Sequence, residues 1–190
     1  MTVAAALKAA TETATITGDE LLALGDIGPA ELIDGRIIPM SPTQNLHAYI
    51  VFEIGRRLGN FNAARRLGWV IGAEPGVYTS RQPDTVRAMD IAFVSRRRLP
   101  MLERGFLQVA PELVIEIVSP TDRWSDLQAK RAEYFAIGVD VVWVVEPERR
   151  SVLVYRGGLA PEALGEEDTL HGEGLLAGLE IPLAELFATE

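Results

Sequence analysis

Apolar and polar positions along this chain switch between two periods, and the switches mark its elements. Residues 113–118 (Leu-Val-Ile-Glu-Ile-Val) and 139–145 (Val-Asp-Val-Val-Trp-Val-Val) are short apolar runs rich in β-branched side chains. Runs of that length predict strands with apolar residues on both faces, as a central strand has. Residues 90–94 and 151–155 predict further strands. Residues 69–78 predict one interrupted near Pro75-Gly76, followed by a polar turn over 81–87. Asp34-Gly35 sits between two apolar runs and predicts a hairpin over 30–40. Elsewhere the period lengthens. Leu46, Ile50, Ile54 and Leu58 recur every four positions, predicting a helix over 45–61. A second helix is expected over 125–137, stopped by Gly138. Thr17 with Glu20 three residues on predicts the capped start of a short helix through Leu24. Residues 96–105 read as surface, and the tail from 157 as acidic loops with a short closing helix over 182–187. The order is mixed α/β, a sheet flanked by helices.

Length and composition narrow this picture. A chain of 190 residues fits one domain with a sizeable core. We expect residues 1–16 to be a frayed lead-in and 17–190 to form a single domain. There is no cysteine, so no disulfide framework and no thiolate metal site, which suits a reducing cytoplasm. No apolar stretch approaches the roughly 20 residues of a membrane span, and the N-terminus lacks the apolar segment of a signal peptide. The net charge of −9 argues against a broad nucleic-acid footprint. Arginine clusters at 56–57, 65–66, 96–98 and 149–150 leave room for a small basic groove, although most such clusters are solvated surface.

The chemistry concentrates in two acids, each set on a strand-like apolar run: Asp90 before Ile-Ala-Phe-Val, and Glu116 inside residues 113–118. A carboxylate in such a run is costly to bury without a partner. Strand alternation puts Asp90, Ala92 and Val94 on one face, and Val114, Glu116 and Val118 on one face. On adjacent strands the two acids would point at one spot. A hard cation such as Mg²⁺ takes one or two protein carboxylates and fills its shell with water and phosphate. The carbonyl of Ile117 is a candidate third protein ligand. The competing reading is structural, with Asp90 capping a strand end and Glu116 paired with Lys130 or Arg131. On the second helix Leu127, Lys130, Tyr134 and Ile137 share one face. Arg131 lies toward the other side of Leu127, so periodicity does not choose between the two cations. Tyr134 and Trp143 read as core.

Several blocks occur in order: Glu31-Leu32-Ile33-Asp34-Gly35, His47 at the head of a helix, Arg87-x-x-Asp90, Pro111 through Pro120, Lys130-x-x-x-Tyr134, and Gly138 through Val145. This ordered set, from about residue 17 to 187, resembles the Uma-two type of endonuclease within the PD-(D/E)XK restriction-endonuclease-like superfamily. The resemblance implies a central mixed β-sheet flanked by helices, with Asp90 and Glu116 binding Mg²⁺ or Mn²⁺. It implies that Lys130, from the following helix, replaces the lysine usually found two residues after the glutamate, where Val118 stands here. It also brings Glu31 and His47 near the active site. Glu31 would hold a second metal or its water, and His47 would orient substrate or move a proton. The proline usual before the first acid is Met89. Pro83-Asp84 lies upstream in a polar turn and reads as a decoy.

The expected function is metal-dependent endonuclease hydrolysis of phosphodiester bonds, in DNA with RNA as the second candidate, by a cytoplasmic homodimer away from membranes. Two other classes remain open on sequence: a non-catalytic nucleic-acid-binding or assembly module on the same fold, and a structural homo-oligomer joined through the 139–145 region.

Overall fold

The structure is a computed structural model that describes residues 15–120 and 122–188. Most of the lead-in expected over 1–16 therefore lies outside the described residues. Helix α1 (Gly18–Ala23) begins with the expected capping box. The Thr17 hydroxyl accepts from the Glu20 N–H, and the Glu20 carboxylate accepts from the Thr17 N–H. The hairpin follows as β1 (Ala30–Ile33) and β2 (Arg36–Pro39). With β4 (Gly76–Ser80) and β5 (Thr85–Ala88) it makes a four-stranded sheet, ordered β2-β1-β5-β4.

A second sheet of six strands carries the main core. Its members are β3 (Gly68–Gly72), β6 (Ile91–Ser95), β7 (Leu113–Ile117), β8 (Val141–Glu146), β9 (Ser151–Arg156) and β10 (Glu162–Leu164), ordered β10-β9-β8-β7-β6-β3. Every pair is antiparallel except β7 with β8. A parallel pair needs a crossover, and helix α3 (Trp124–Ile137) supplies it. Gly138 ends α3 at φ 97°, a left-handed conformation that favours glycine.

The sheet's two faces pack differently. On one, Ile91, Phe93, Leu113, Ile115, Trp143 and Val145 meet Ile50, Ile54 and Leu58 of helix α2 (Asn45–Arg65). The tail closes this face with the two-stranded β11 (Thr169–His171) and β12 (Glu180–Pro182) and with α4 (Leu183–Leu186). On the other face Ala92, Val114, Val142 and Val144 meet Tyr134 of α3, Val77 and Met89.

Several sequence expectations need correction. Leu46 belongs to the apolar stripe by spacing, yet it is 37% exposed at the first turn of α2, beyond the sheet contact. The helix runs to Arg65, past the expected end at 61, and Arg66 stops it at φ 53°. Residues 69–78 are two strands in different sheets, because Ala73 and Glu74 both take positive φ and redirect the chain. The polar turn expected over 81–87 instead contains β5, which is buried throughout. Arg87 survives there because its guanidinium pairs with Glu31 and Glu133.

Candidate active site

Asp90 stands one residue ahead of β6, not within the strand as the apolar pattern suggested. Its carboxylate accepts the Ile117 N–H at 2.7 Å, so a side chain replaces the next main-chain rung. Ile91 faces Ile115 in the β6–β7 register, and continuing that register sets Asp90 beside Glu116. Glu116 lies on the sheet face covered by α3, and Asp90, just outside the strand, is also within reach of α2.

Glu116 is 7% exposed. The Tyr134 hydroxyl donates to its Oε1 at 2.6 Å, and the Lys130 ammonium lies 3.3 Å from its Oε2. Burial pushes the Glu116 carboxyl up to about 7. The ammonium of Lys130 works against this, Asp90 adds to it, the Tyr134 bond opposes it, and Glu31 adds again. Lys130 is held charged above its ordinary range. Its burial opposes the charge, but Glu116, Glu31 and Asp90 outweigh it. These two directions are consistent: the lysine faces several carboxylates, whereas each carboxylate faces the others and shares one ammonium.

Lys130 also donates to the Ala88 carbonyl at 2.9 Å and pairs with Glu31 Oε1 at 3.0 Å. Its three N–H groups thus have three acceptors. Arg131 turns elsewhere, its guanidinium stacked 3.9 Å over the Tyr155 ring. The structure therefore brings Lys130, and not Arg131, to the acids. Glu31 is fixed on β1 by the Ala88 N–H (3.1 Å) and Arg87 (3.0 Å). His47, in the first turn of α2, lies 3.3 Å from Asp90 through Nε2. Burial lowers the imidazole's affinity for a proton. The Asp90 carboxylate, Asp122 and the Ile117 main chain outweigh it and raise the pKa. His47 Nδ1 is buried without a hydrogen-bond partner among the described residues.

All five candidate side chains and the Ile117 main chain thus belong to one connected cluster. Pro83-Asp84 stands apart. Asp84 lies between β4 and β5, where its carboxylate accepts the Gly18 N–H at 2.9 Å and pairs with Arg81. Sequence reasoning read Tyr134 only as core and passed over Glu133. Tyr134 is fully buried, as a core residue should be, and is also Glu116's shortest hydrogen-bond partner. Its i, i+4 spacing from Lys130 was the available signal. Glu133 holds Arg87 and accepts from the Thr79 hydroxyl at 2.8 Å.

Two openings reach the cluster. His47 and Asp90 line a cleft of about 610 Å³. Glu31, Glu116 and Lys130 line a smaller one of about 260 Å³ with Asp122, Arg123 and Asp126. Among the described residues no three acid or histidine side chains are arranged as a metal cage. The side-chain chemistry still suits a hard cation: Asp90 and Glu116 are neighbouring carboxylates, and Glu31 joins Glu116 at one ammonium. Mg²⁺ commonly makes do with one or two protein carboxylates. No helix among the described residues is long and apolar enough to cross a membrane.

Comparison with known proteins bears on the fold and the family. The crystal structure of a "putative nuclease belonging to DUF820" from Anabaena variabilis superposes with a TM-score of 0.78. At 23% identity the match covers 91% of this chain and 98% of that one, so the two share a fold. No curated protein sequence matches the chain. The profile of Uma2, described as "Putative restriction endonuclease", matches residues 19–184, nearly all of the sequence. The mixed sheet flanked by helices is therefore a fold shared with that nuclease structure, and the chain belongs to the Uma2 family.

Proposed function

We propose that the protein is a cytoplasmic, metal-dependent endonuclease that hydrolyses phosphodiester bonds in DNA, with RNA as the alternative substrate. One observation carries the reading: Asp90 and Glu116 sit side by side at one end of the sheet, with the buried ammonium of Lys130 on Glu116. Asp90, Glu116 and the Ile117 carbonyl would hold Mg²⁺ or Mn²⁺. Such an ion, when bound, lowers the pKa of a coordinated water and neutralises charge gathering on phosphate.

The chain's own residues do the rest. Tyr134 and Lys130 fix the Glu116 carboxylate in one orientation. Lys130, at the acids, stabilises the developing negative charge on the phosphate oxygens. His47, held toward its charged form by Asp90, would give a proton to the departing alkoxide oxygen. Water contributes OH to phosphorus and H⁺ to the leaving oxygen, so the products are a phosphomonoester and a free hydroxyl. Glu31 keeps Lys130 in position and is the further carboxylate available for a second ion's water. By analogy with nucleases of this fold we extend the proposal to a homodimer, which sedimentation across concentrations tests.

The test is cleavage of plasmid and single-stranded DNA with Mg²⁺ or Mn²⁺, with Glu116→Gln as control. Metal-dependent cutting lost in the variant supports the reading, and full activity in Glu116→Gln overturns it. One observation favours a second reading, a non-catalytic nucleic-acid-binding or assembly module. The three N–H groups of Lys130 are already taken by protein acceptors, as in a structural ion pair. No cutting, together with no Mg²⁺ bound at Asp90 and Glu116 by calorimetry, selects that module.

A further inference from the structure

We infer that the cleft beside His47 and Asp90 is a nucleobase subsite, and that the substrate enters it with unpaired bases. This rests on the nuclease reading and adds the form of nucleic acid to it.

The cleft is continuous with the acid cluster: His47 and Asp90 form part of its wall. Away from them the wall becomes apolar, through Ala48, Val51 and Phe52 of α2 and Val70 of β3. Ala48 and Phe52 are four residues apart and so lie on one face of the helix. Phe52 is 65% exposed. A large aromatic face left open to water beside candidate catalytic groups points to a ligand that covers it. At about 610 Å³ the space lies within the range that holds nucleotide-sized molecules.

Charge decides what kind of group enters. Arg56, on the same wall, is already forked onto Glu53 at 3.1 and 2.7 Å. Glu74 and Asp90 add negative charge, and the whole chain carries −9. Both cations of this wall, Arg56 and His47, are already paired with carboxylates, so the phosphate contacts that dominate duplex binding are poorly supplied here. A base offers the opposite chemistry, an uncharged π-face for Phe52 and polar edges for neighbours. Stacking on an aromatic side chain contributes substantially per base and does not depend on sequence. It requires a base free of its partner, as in single strands, loops and frayed ends.

The experiment uses the full chain with Mn²⁺ and three probes of one sequence: a single strand, its duplex, and the single strand with one base removed at each position in turn. The wild-type protein is expected to cut the single strand at least tenfold faster than the duplex. Phe52→Ala should lower kcat/KM on the single strand roughly tenfold with an unchanged melting temperature, and Phe52→Trp should keep the activity. One abasic position near the cut should slow the wild type as much as Phe52→Ala does, and should slow Phe52→Ala no further.

Duplex cut as fast as single strand, or Phe52→Ala cutting like wild type, overturns the inference and leaves the nuclease reading standing. If Phe52→Ala turns a dimer into a monomer while single-strand cleavage per site is unchanged, the patch is a self-association surface and the inference is again overturned. No cutting of any probe removes the nuclease reading and this inference with it.

Discussion

The two faces of strand β7 are built under opposite rules. Leu113, Ile115 and Ile117 face α2 and the tail, where the neighbours are apolar and packing needs only shape. One residue away, Glu116 faces α3 in a setting of charge, held by Tyr134 and Lys130 and pressed by Asp90 and Glu31. Strand periodicity of two lets a single backbone serve both. The apolar face supplies stability and tolerates hydrophobic substitution of similar volume. The charged face spends stability, because each group there is tolerable only while its partners remain.

This contrast is breakable by mutation, and the largest effect should come from the charged side. Lys130→Ala leaves Glu116 and Glu31 buried without their ammonium. We expect a loss of about 3–5 kcal/mol in chemical denaturation along with loss of cleavage. Most of that stability should return in Lys130→Met combined with Glu116→Gln, while cleavage stays absent. If the single and double variants are equally unstable, the charged face does not behave as argued.

Ile115→Ala tests the apolar side. It should cost about 2–5 kcal/mol through lost burial and the cavity left behind, while the activity of the molecules still folded is retained. Activity falling tenfold or more in a folded Ile115→Ala protein would show that the two faces are not separable.

The pH dependence of stability comes next. Glu116 has its folded pKa raised from the ordinary 4.5 to about 7. Its contribution is complete below pH 4.5, where the carboxyl is protonated whether folded or not, and is lost as pH rises through about 7. The span corresponds to about 3 kcal/mol. Glu116→Gln removes the dependence, so its advantage over wild type in urea melts should grow between pH 4.5 and 7 and then level off. Mg²⁺, if held by the ionised acids, should restore wild-type stability above pH 7. An advantage independent of pH would contradict the raised value.

The smallest effect is expected from Tyr134→Phe. The hydroxyl is a hydrogen-bond donor to a charged acceptor, so its loss should cost about 1–3 kcal/mol. It also opposes the upward shift of Glu116. Removing it should move the acid limb of the cleavage profile to higher pH, an outcome that packing alone would not give.

The legible parts of the molecule were those whose cause is local. The Thr17–Glu20 box, the Asp34-Gly35 hairpin, the Ile50–Leu58 stripe and the Gly138 stop each depend on residues within a few positions of one another. Strand β5 was illegible because its burial rests on partners far along the chain: Arg87 reads as surface until Glu31 and Glu133 are seen beside it. The site was legible in a mixed way. Asp90 and Glu116 stand out because acids in apolar runs are anomalous. Lys130, Glu31 and His47 entered through an ordered resemblance, since no local rule separates Lys130 from Arg131. Tyr134 reads correctly as core, because an aromatic on an apolar helix face is fully explained by packing, and that explanation hides its hydroxyl's second task.

The anchorage of Lys130 bears on how such a protein would decay. Its ammonium reaches Ala88 and Glu31 in the four-stranded sheet and Glu116 in the six-stranded sheet. One helix side chain therefore joins both sheets. A lineage released from any need to cut nucleic acid would still be under selection to keep that junction. Asp90 and His47, which lie outside that junction, would drift first. Among descendants of this chain, retention of the lysine would then mark an intact fold, and retention of Asp90 and His47 as well would be the further mark that the proposed cleavage requires.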